Sequence, residues 1–177
     1  MGMGNSISLP EDPAYSVEDL HMSNGLTSVF IEVLALSGSI LATTNREKEL
    51  VIWLAQRDQA CVGIGTVGFD IDEMPWKIDS FEAEKEFMLR TIASAMDGLG
   101  WERLNYEPNQ EMVQRCLQQF ELMISAFEKK SVDINNYLEW SEIEEGDDSP
   151  TIPYGYPKCD KHGVYLSCHG CILCNNS

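Results

Sequence analysis

Apolar positions in this chain fall into four helical stripes, broken once by a glycine-rich stretch. From Thr27 onward, Phe30, Val33, Leu34, Ser37 and Leu41 recur on one face at the helical period, which predicts a first helix. Thr44 and Glu47 then form a Thr-x-x-Glu capping box, and Leu50, Val51 and Leu54 continue an apolar stripe to about Asp58. Only Ala42-Thr43-Thr44 separates these two helices, so they are expected to be antiparallel neighbours. A third helix is predicted to open at Asp79, with Glu82 completing a second capping box. Its buried line is Phe81, Met88, Ile92 and Met96, and Gly98 and Gly100 end it. Pro108 introduces the strongest stripe, Val113, Cys116, Leu117, Phe120, Ile124 and Phe127, which ends at Lys129 and Lys130, where cations suit the negative pole of a helix.

Between the second and third helices runs QACVGIGTVGFDIDEMPW, in which glycines alternate with Val62, Ile64, Val67 and Phe69. This predicts a short strand or hairpin closing in a turn at Met74-Pro75-Trp76, and WERLNY at Trp101–Tyr106 supplies a second short strand. The expected fold class is therefore mainly α (α+β with a minor two-strand element), a compact four-helix domain over residues 24–138. Residues 1–23 hold no period and contain Pro10 and Pro13, which reads as a flexible N-terminal arm. Residues 139–157 begin EWSEIEEGDD, with six acids and no base, and continue through Pro150, Pro153 and Pro157. They read as an acidic, proline-rich linker. Residues 158–177 form a Cys/His-rich zinc-binding tail, expected to hang from the helical domain as a separate appendage.

The tail carries Cys159-x-x-His162 and Cys168-x-x-Cys171-x-x-Cys174. Zinc needs four soft or borderline donors converging tetrahedrally, and two donors separated by two residues fit one tight turn. Gly163 directly after His162 and Gly170 inside the second turn relieve crowding there. The most economical set is Cys159, His162, Cys168 and Cys171. A competing set replaces Cys168 with Cys174 across a longer loop, and His169 is a third option. A redox dithiol at Cys168–Cys171 or Cys171–Cys174 is the alternative chemistry. Four protein ligands leave no open position for water, so a bound ion would be structural.

Elsewhere the signals are weaker. Gly63-x-Gly65-x-x-Gly68 matches the dinucleotide fingerprint, but no helix opens from it and Asp70, Asp72 and Glu73 would repel a pyrophosphate. Glycines that let a backbone approach closely or bulge a strand are the better reading. The three acids could hold a hard cation or, beside Trp76, form a recognition surface. Outside the tail the only histidine is His21, so no Cys/His or Ser/His/Asp constellation emerges. Cys116 belongs to a core stripe, Cys61 reads as structural, Trp53 and Trp76 as core or core edge, and Trp140 as an exposed anchor.

Charge changes the picture most. With 29 acids against 12 bases the formal net charge is −17 and the pI is about 4.3. Such a surface repels nucleic acids and anionic membranes and favours a basic protein partner. No apolar run reaches the roughly 20 residues of a bilayer span and no secretory signal pattern is present, so a cytoplasmic, reducing compartment is expected. These features point to a non-enzymatic acidic binding protein, of the kind that inhibits a basic, nucleic-acid-acting partner as an immunity protein, antitoxin or phage antagonist does. Asp70, Asp72, Glu73, Trp76, Glu142, Glu144 and Glu145 are the expected partner-binding residues. The alternatives are a zinc-containing adaptor that docks a partner through its tail, and a metal-dependent enzyme using Asp70, Asp72 and Glu73.

Overall fold

The computed structural model describes residues 5–142 and 150–176. In chain order the elements are β1 (Asn5–Ser8), β2 (Leu20–Met22), α1 (Asn24–Leu41), α2 (Asn45–Ala55), β3 (Asp58–Gln59), β4 (Gly65–Thr66), β5 (Phe69–Asp70), α3 (Phe81–Met96), α4 (Gln110–Ala126), α5 (Ile134–Ser141) and α6 (Ile172–Asn175). Helices dominate and the strands are short, as the periodicity predicts.

α1 is the central element and packs on α2, α3 and α4. Its residues from Phe30 to Ser39 are buried without interruption, including the polar Glu32, Ser37 and Ser39. By length and composition it is the one described helix apolar enough to cross a bilayer, with mean hydropathy 1.5 over 18 residues; 61% of that window is buried inside the protein, the pattern of a core helix. The Thr44 capping box forms as expected, Thr44 accepting from the Glu47 amide and Glu47 from the Thr44 amide. All six apolar positions predicted for α4 are buried, and Phe120 stacks edge-on against Phe30 at 5.3 Å.

α2 and α3 are tied through a charge cluster. The Arg46 guanidinium contacts Glu49 at 2.5 Å and Glu84 at 3.1 Å and donates to the Pro75 carbonyl, while Tyr156 donates to Glu49 at 2.7 Å. One half-buried arginine thus offsets two buried carboxylates. The capping box expected at Asp79 and Glu82 does not form, and Glu84 makes the bonds at this end of the helix instead. A 3₁₀ turn at Ile78–Ser80 delays the start of α3, and Glu84 accepts from the Lys77 amide and the Ser80 hydroxyl.

Several expectations need correction. The N-terminal segment is not a loose arm: β1 pairs antiparallel with β2, Ile7 opposite Leu20, and parallel with β5, Ile7 opposite Phe69. Burial of Ile7, Leu9, Leu20 and Met22 drives this, two apolar pairs too short to register as a period. The strand content is accordingly a three-stranded sheet, β2-β1-β5, and a separate β3–β4 hairpin. WERLNY is not a strand. Gly98 and Gly100, both at positive φ, turn the chain into a 3₁₀ turn at Trp101–Arg103. The glycine fingerprint has two local causes: Gly63 and Gly65 both have φ +83°, and a Cβ on Gly68 would lie 2.2 Å from the Ser6 carbonyl oxygen of β1.

α5 carries helix past residue 138, the expected domain limit, and Trp140 is half-buried rather than an exposed anchor. Its indole donates to Gln56 Oε1 at 2.6 Å, and Gln56 Nε2 donates onward to the Thr151 carbonyl at 3.1 Å. Cys116 is buried as expected, whereas Cys61 is exposed on the β3–β4 connection.

The tail is not a separate appendage either. Val164, Tyr165, Ile172 and Leu173 are buried in the same apolar core as α1. Lys158 Nζ donates to the Ser39 carbonyl at 3.0 Å, the Tyr165 amide to Ser39 Oγ at 3.2 Å, Arg103 to the His162 carbonyl at 3.2 Å, and Asn176 to Asp58 at 2.8 Å. The tail therefore lies as a strap across α1, the apolar residues between its cysteines being its inner face.

Candidate metal centre

Two local structures build the cradle. The first is a tight turn: Lys158 bridges Tyr165 antiparallel, the Cys159 amide donates to the Val164 carbonyl at 2.8 Å, and the Gly163 amide donates to the Cys159 carbonyl at 2.8 Å. Gly163 has φ +71°, and a Cβ there would come within 2.7 Å of the Arg103 guanidinium that holds the His162 carbonyl. The second is the start of α6, where Cys171 is the N-cap and Cys174 follows one turn later, on the same side.

These structures bring together Cys159, His162, Cys171 and Cys174, whose ligand atoms all lie within 4.8 Å of one another. His162 Nδ1 is 3.7 Å from the Cys159 sulfur, 3.6 Å from Cys171 and 3.4 Å from Cys174, and the Cys159 and Cys174 sulfurs are 3.6 Å apart. The group could hold a metal ion. It is the competing set, not the favoured one. Ser167 and Gly170 pair across a reverse turn with Cys168 and His169 at its tip, and Cys168 meets Gln56 Nε2 at 3.6 Å instead of joining the cradle. Spacing alone ranked a Cys-x-x-Cys pair at 168–171 first; that turn breaks it.

Local electrostatics suit cation binding. Burial opposes the Cys159 thiolate, but the His162 and Lys161 amides and the adjoining Cys171 and Cys174 thiols outweigh it, so its pKa falls below that of an ordinary thiol. Burial, then the Lys161 charge, lowers the pKa of His162 and favours the neutral, metal-binding imidazole. Burial pushes the Cys171 thiol up to about 12. A cation would have to compensate for that last, unfavourable ionisation.

The expected recognition acids lie apart from the cradle, at β5 and the turn after it. Asp70 and Asp72 line an open cleft of about 560 Å³ together with Glu11, Asp12, Asp19, Tyr15 and Val17, and its lining contains neither Lys nor Arg. Burial, then Glu73, Asp72, Asp19 and Glu11, raises the Asp70 pKa; burial, then Glu73 and Asp133, raises that of Asp72. Glu73 is exposed but turned to local structure, accepting from the Asp70 amide at 2.9 Å. Trp76 does not belong to a recognition surface. It is 1% exposed, its indole donates to the Ile71 carbonyl, and it stacks on Phe127 at 5.5 Å, as its core reading anticipated. Glu142 is exposed after α5, and Glu144 and Glu145 lie outside the described residues. The sequence reading missed Glu11, Asp12 and Asp19, which reach the cleft only because β1 pairs with β5.

A second acidic pair is internal. Glu32 on α1 is 3% exposed and accepts from the Tyr106 hydroxyl. Burial lifts its pKa to about 7; the Tyr106 bond lowers it and the Asp58 charge adds to the rise. Asp58 is buried too and is held by the Ala60 amide, Ser28 and Asn176.

No protein-family model, no curated protein and no solved structure matches this chain.

Proposed function

We propose that this protein is a non-enzymatic acidic binding protein, an inhibitor of the immunity or antitoxin type, whose C-terminal strap is closed by structural zinc. The observation that carries the binding reading is the cleft: five carboxylates from two chain segments line one opening without a cation among the lining residues. Such a surface attracts a basic partner at long range and gains when arginines or lysines replace mutual repulsion. Tyr15 and Val17 add apolar contact to the charge.

Zinc is supported by distance. Zn–S bonds of about 2.3 Å and a Zn–N bond of about 2.0–2.1 Å in a tetrahedron set sulfur–sulfur edges near ~3.8 Å and sulfur–nitrogen edges near ~3.5 Å. The separations here are 3.6 Å and 3.4 to 3.7 Å. Three thiolates and one imidazole are a common structural zinc set, and they complete the coordination shell, which argues for a structural ion over a catalytic one. Burial of the tail's apolar face favours this structural role over a docking tail.

The binding reading is tested by calorimetric titration of the purified protein with a co-purified basic partner at about 50 and about 300 mM salt. Exposed charges are screened within roughly 10 Å at 0.1 M, so affinity should fall at least about tenfold across that range. It should fall similarly at low salt in the Asp12→Asn, Asp19→Asn, Asp70→Asn variant. Affinity indifferent to both would overturn the proposal.

A further inference from the structure

The cradle holds three sulfurs in unequal settings. Cys174 is exposed on α6, Cys159 is half-buried, and Cys171 is buried at the helix start. The accessible sulfur and the half-buried one are the pair that meet at 3.6 Å, on separate local structures that only the cradle brings together. They need to close by only about 1.5 Å to reach bonding distance, a movement within reach of side-chain rotation and a slight shift of the single-turn α6.

We infer that Cys159 and Cys174 form an oxidation site for hydroperoxides, and that the disulfide formed there expels the metal. This rests on the structural-metal reading above. In the first step the Cys174 thiolate attacks the terminal oxygen of the hydroperoxide and the oxygen–oxygen bond breaks, which with one proton from solvent gives a sulfenic acid and the alcohol, or water when the oxidant is hydrogen peroxide. In the second the Cys159 thiolate attacks the Cys174 sulfur. The sulfur–sulfur bond forms, the sulfur–oxygen bond breaks, and the oxygen leaves as hydroxide, which takes a second proton from solvent to become water. Two thiolates give up one electron pair in total, and one peroxide is reduced. Two of the four donors are then spent. Cys171 and His162 alone do not satisfy a tetrahedral ion, so the ion leaves, and the strap loses its clasp while its apolar face still rests on α1.

The other exposed cysteines are built-in controls. Cys168 points to Gln56 from the tip of the Ser167–Gly170 turn, and Cys61 sits on the β3–β4 connection. Full-length protein purified anaerobically with its metal is titrated with hydrogen peroxide, while released ion is followed with a chromophoric chelator and thiols are mapped by alkylation and mass spectrometry. The expected result is one ion released per two thiols lost, a crosslink between the Cys159 and Cys174 peptides, and recovery on adding a thiol reductant and zinc. Cys168→Ser and Cys61→Ser should behave like the parent. Cys174→Ser should form no Cys159 crosslink, and the Cys159→Ser, Cys174→Ser double variant serves as the folded-state check by circular dichroism. A crosslink at Cys168–Cys171, or release of the ion with Cys159 and Cys174 still reduced, overturns the inference. A chain that never holds metal overturns the structural-metal reading instead, and the thiol pair is then read from the crosslink alone.

Discussion

Three sulfurs and an imidazole converge within 4.8 Å at the C-terminal cradle, whereas the carboxylates of the N-terminal cleft spread around an opening of about 560 Å³. Both regions concentrate groups able to attract a cation, but they space them differently. Four of the cradle's donor separations, 3.4 to 3.7 Å, match the edges of a single coordination shell, and the donors are held by turns within 16 residues of chain, from Cys159 to Cys174. Among the described residues the cleft's carboxylates form no such convergent group, and under the function proposed above they face a partner that brings several cationic side chains. Between these extremes lies Arg46, where Glu49 and Glu84 have their cation supplied from within the fold.

The largest test of this contrast addresses the proposed metal of the cradle. Chelation, or Cys171→Ser, should lower the stability by at least about 3 kcal/mol, since structural zinc contributes on the order of 10 kcal/mol of apparent binding energy in small zinc domains. Thermal denaturation followed by near-ultraviolet dichroism would show it, and an unchanged melting temperature would remove the structural role. Next in size is Arg46→Ala, which leaves two carboxylates buried without their cation and should cost about 3–5 kcal/mol by urea denaturation. A loss below about 1 kcal/mol would mean that Arg46 does not compensate the burial of those acids.

Glu32 comes third. Its pKa in the fold is raised from an ordinary value near 4.5 to about 7 because burial favours the neutral acid. The stabilisation it provides is complete below the ordinary value and is lost as pH rises through about 7. Glu32→Gln should therefore flatten the stability–pH curve between about pH 5 and 8 and raise stability at pH 8 by ~1–3 kcal/mol, with the loss of the charge offset in part by solvent relaxation. A variant as pH-sensitive as the parent over that range would sink the assignment. The smallest effect is expected in the cleft. Asp70→Asn with Asp72→Asn relieves repulsion between partly exposed charges and should stabilise by less than about 1 kcal/mol at low salt, vanishing at high salt. A large destabilisation would show that the cleft is structural, like the cradle.

How far the sequence revealed each region follows from the range of the contacts that build it. The helical stripes were legible because residues one or two turns apart share a face, and the α4 line from Val113 to Phe127 is buried as the period requires. The existence of the cradle was legible because its donors are neighbours in the chain. The choice of Cys174 over Cys168 was not. It depends on Ile172 and Leu173 being drawn into the core, which starts α6 at Cys171 and leaves Cys168 at the tip of a turn. The cleft was half legible: FDIDEM marked Asp70 and Asp72, but Glu11, Asp12 and Asp19 come from a segment whose pairing with β5 is set over some sixty residues of chain, Ile7 opposite Phe69. The acids were also read together with Trp76 as one surface, although its other reading, as a core residue, is the one its 1% exposure bears out.

The seating of Tyr165 on Ser39 has a consequence for how the chain is made. The two residues are 126 positions apart, and at about 5–20 residues per second a ribosome delivers the second roughly 6–25 s after the first. During that interval α1, the most apolar segment of the molecule, lacks the cover that the strap provides on one flank. Seating of the strap on this flank of α1 is therefore timed by translation of the intervening chain.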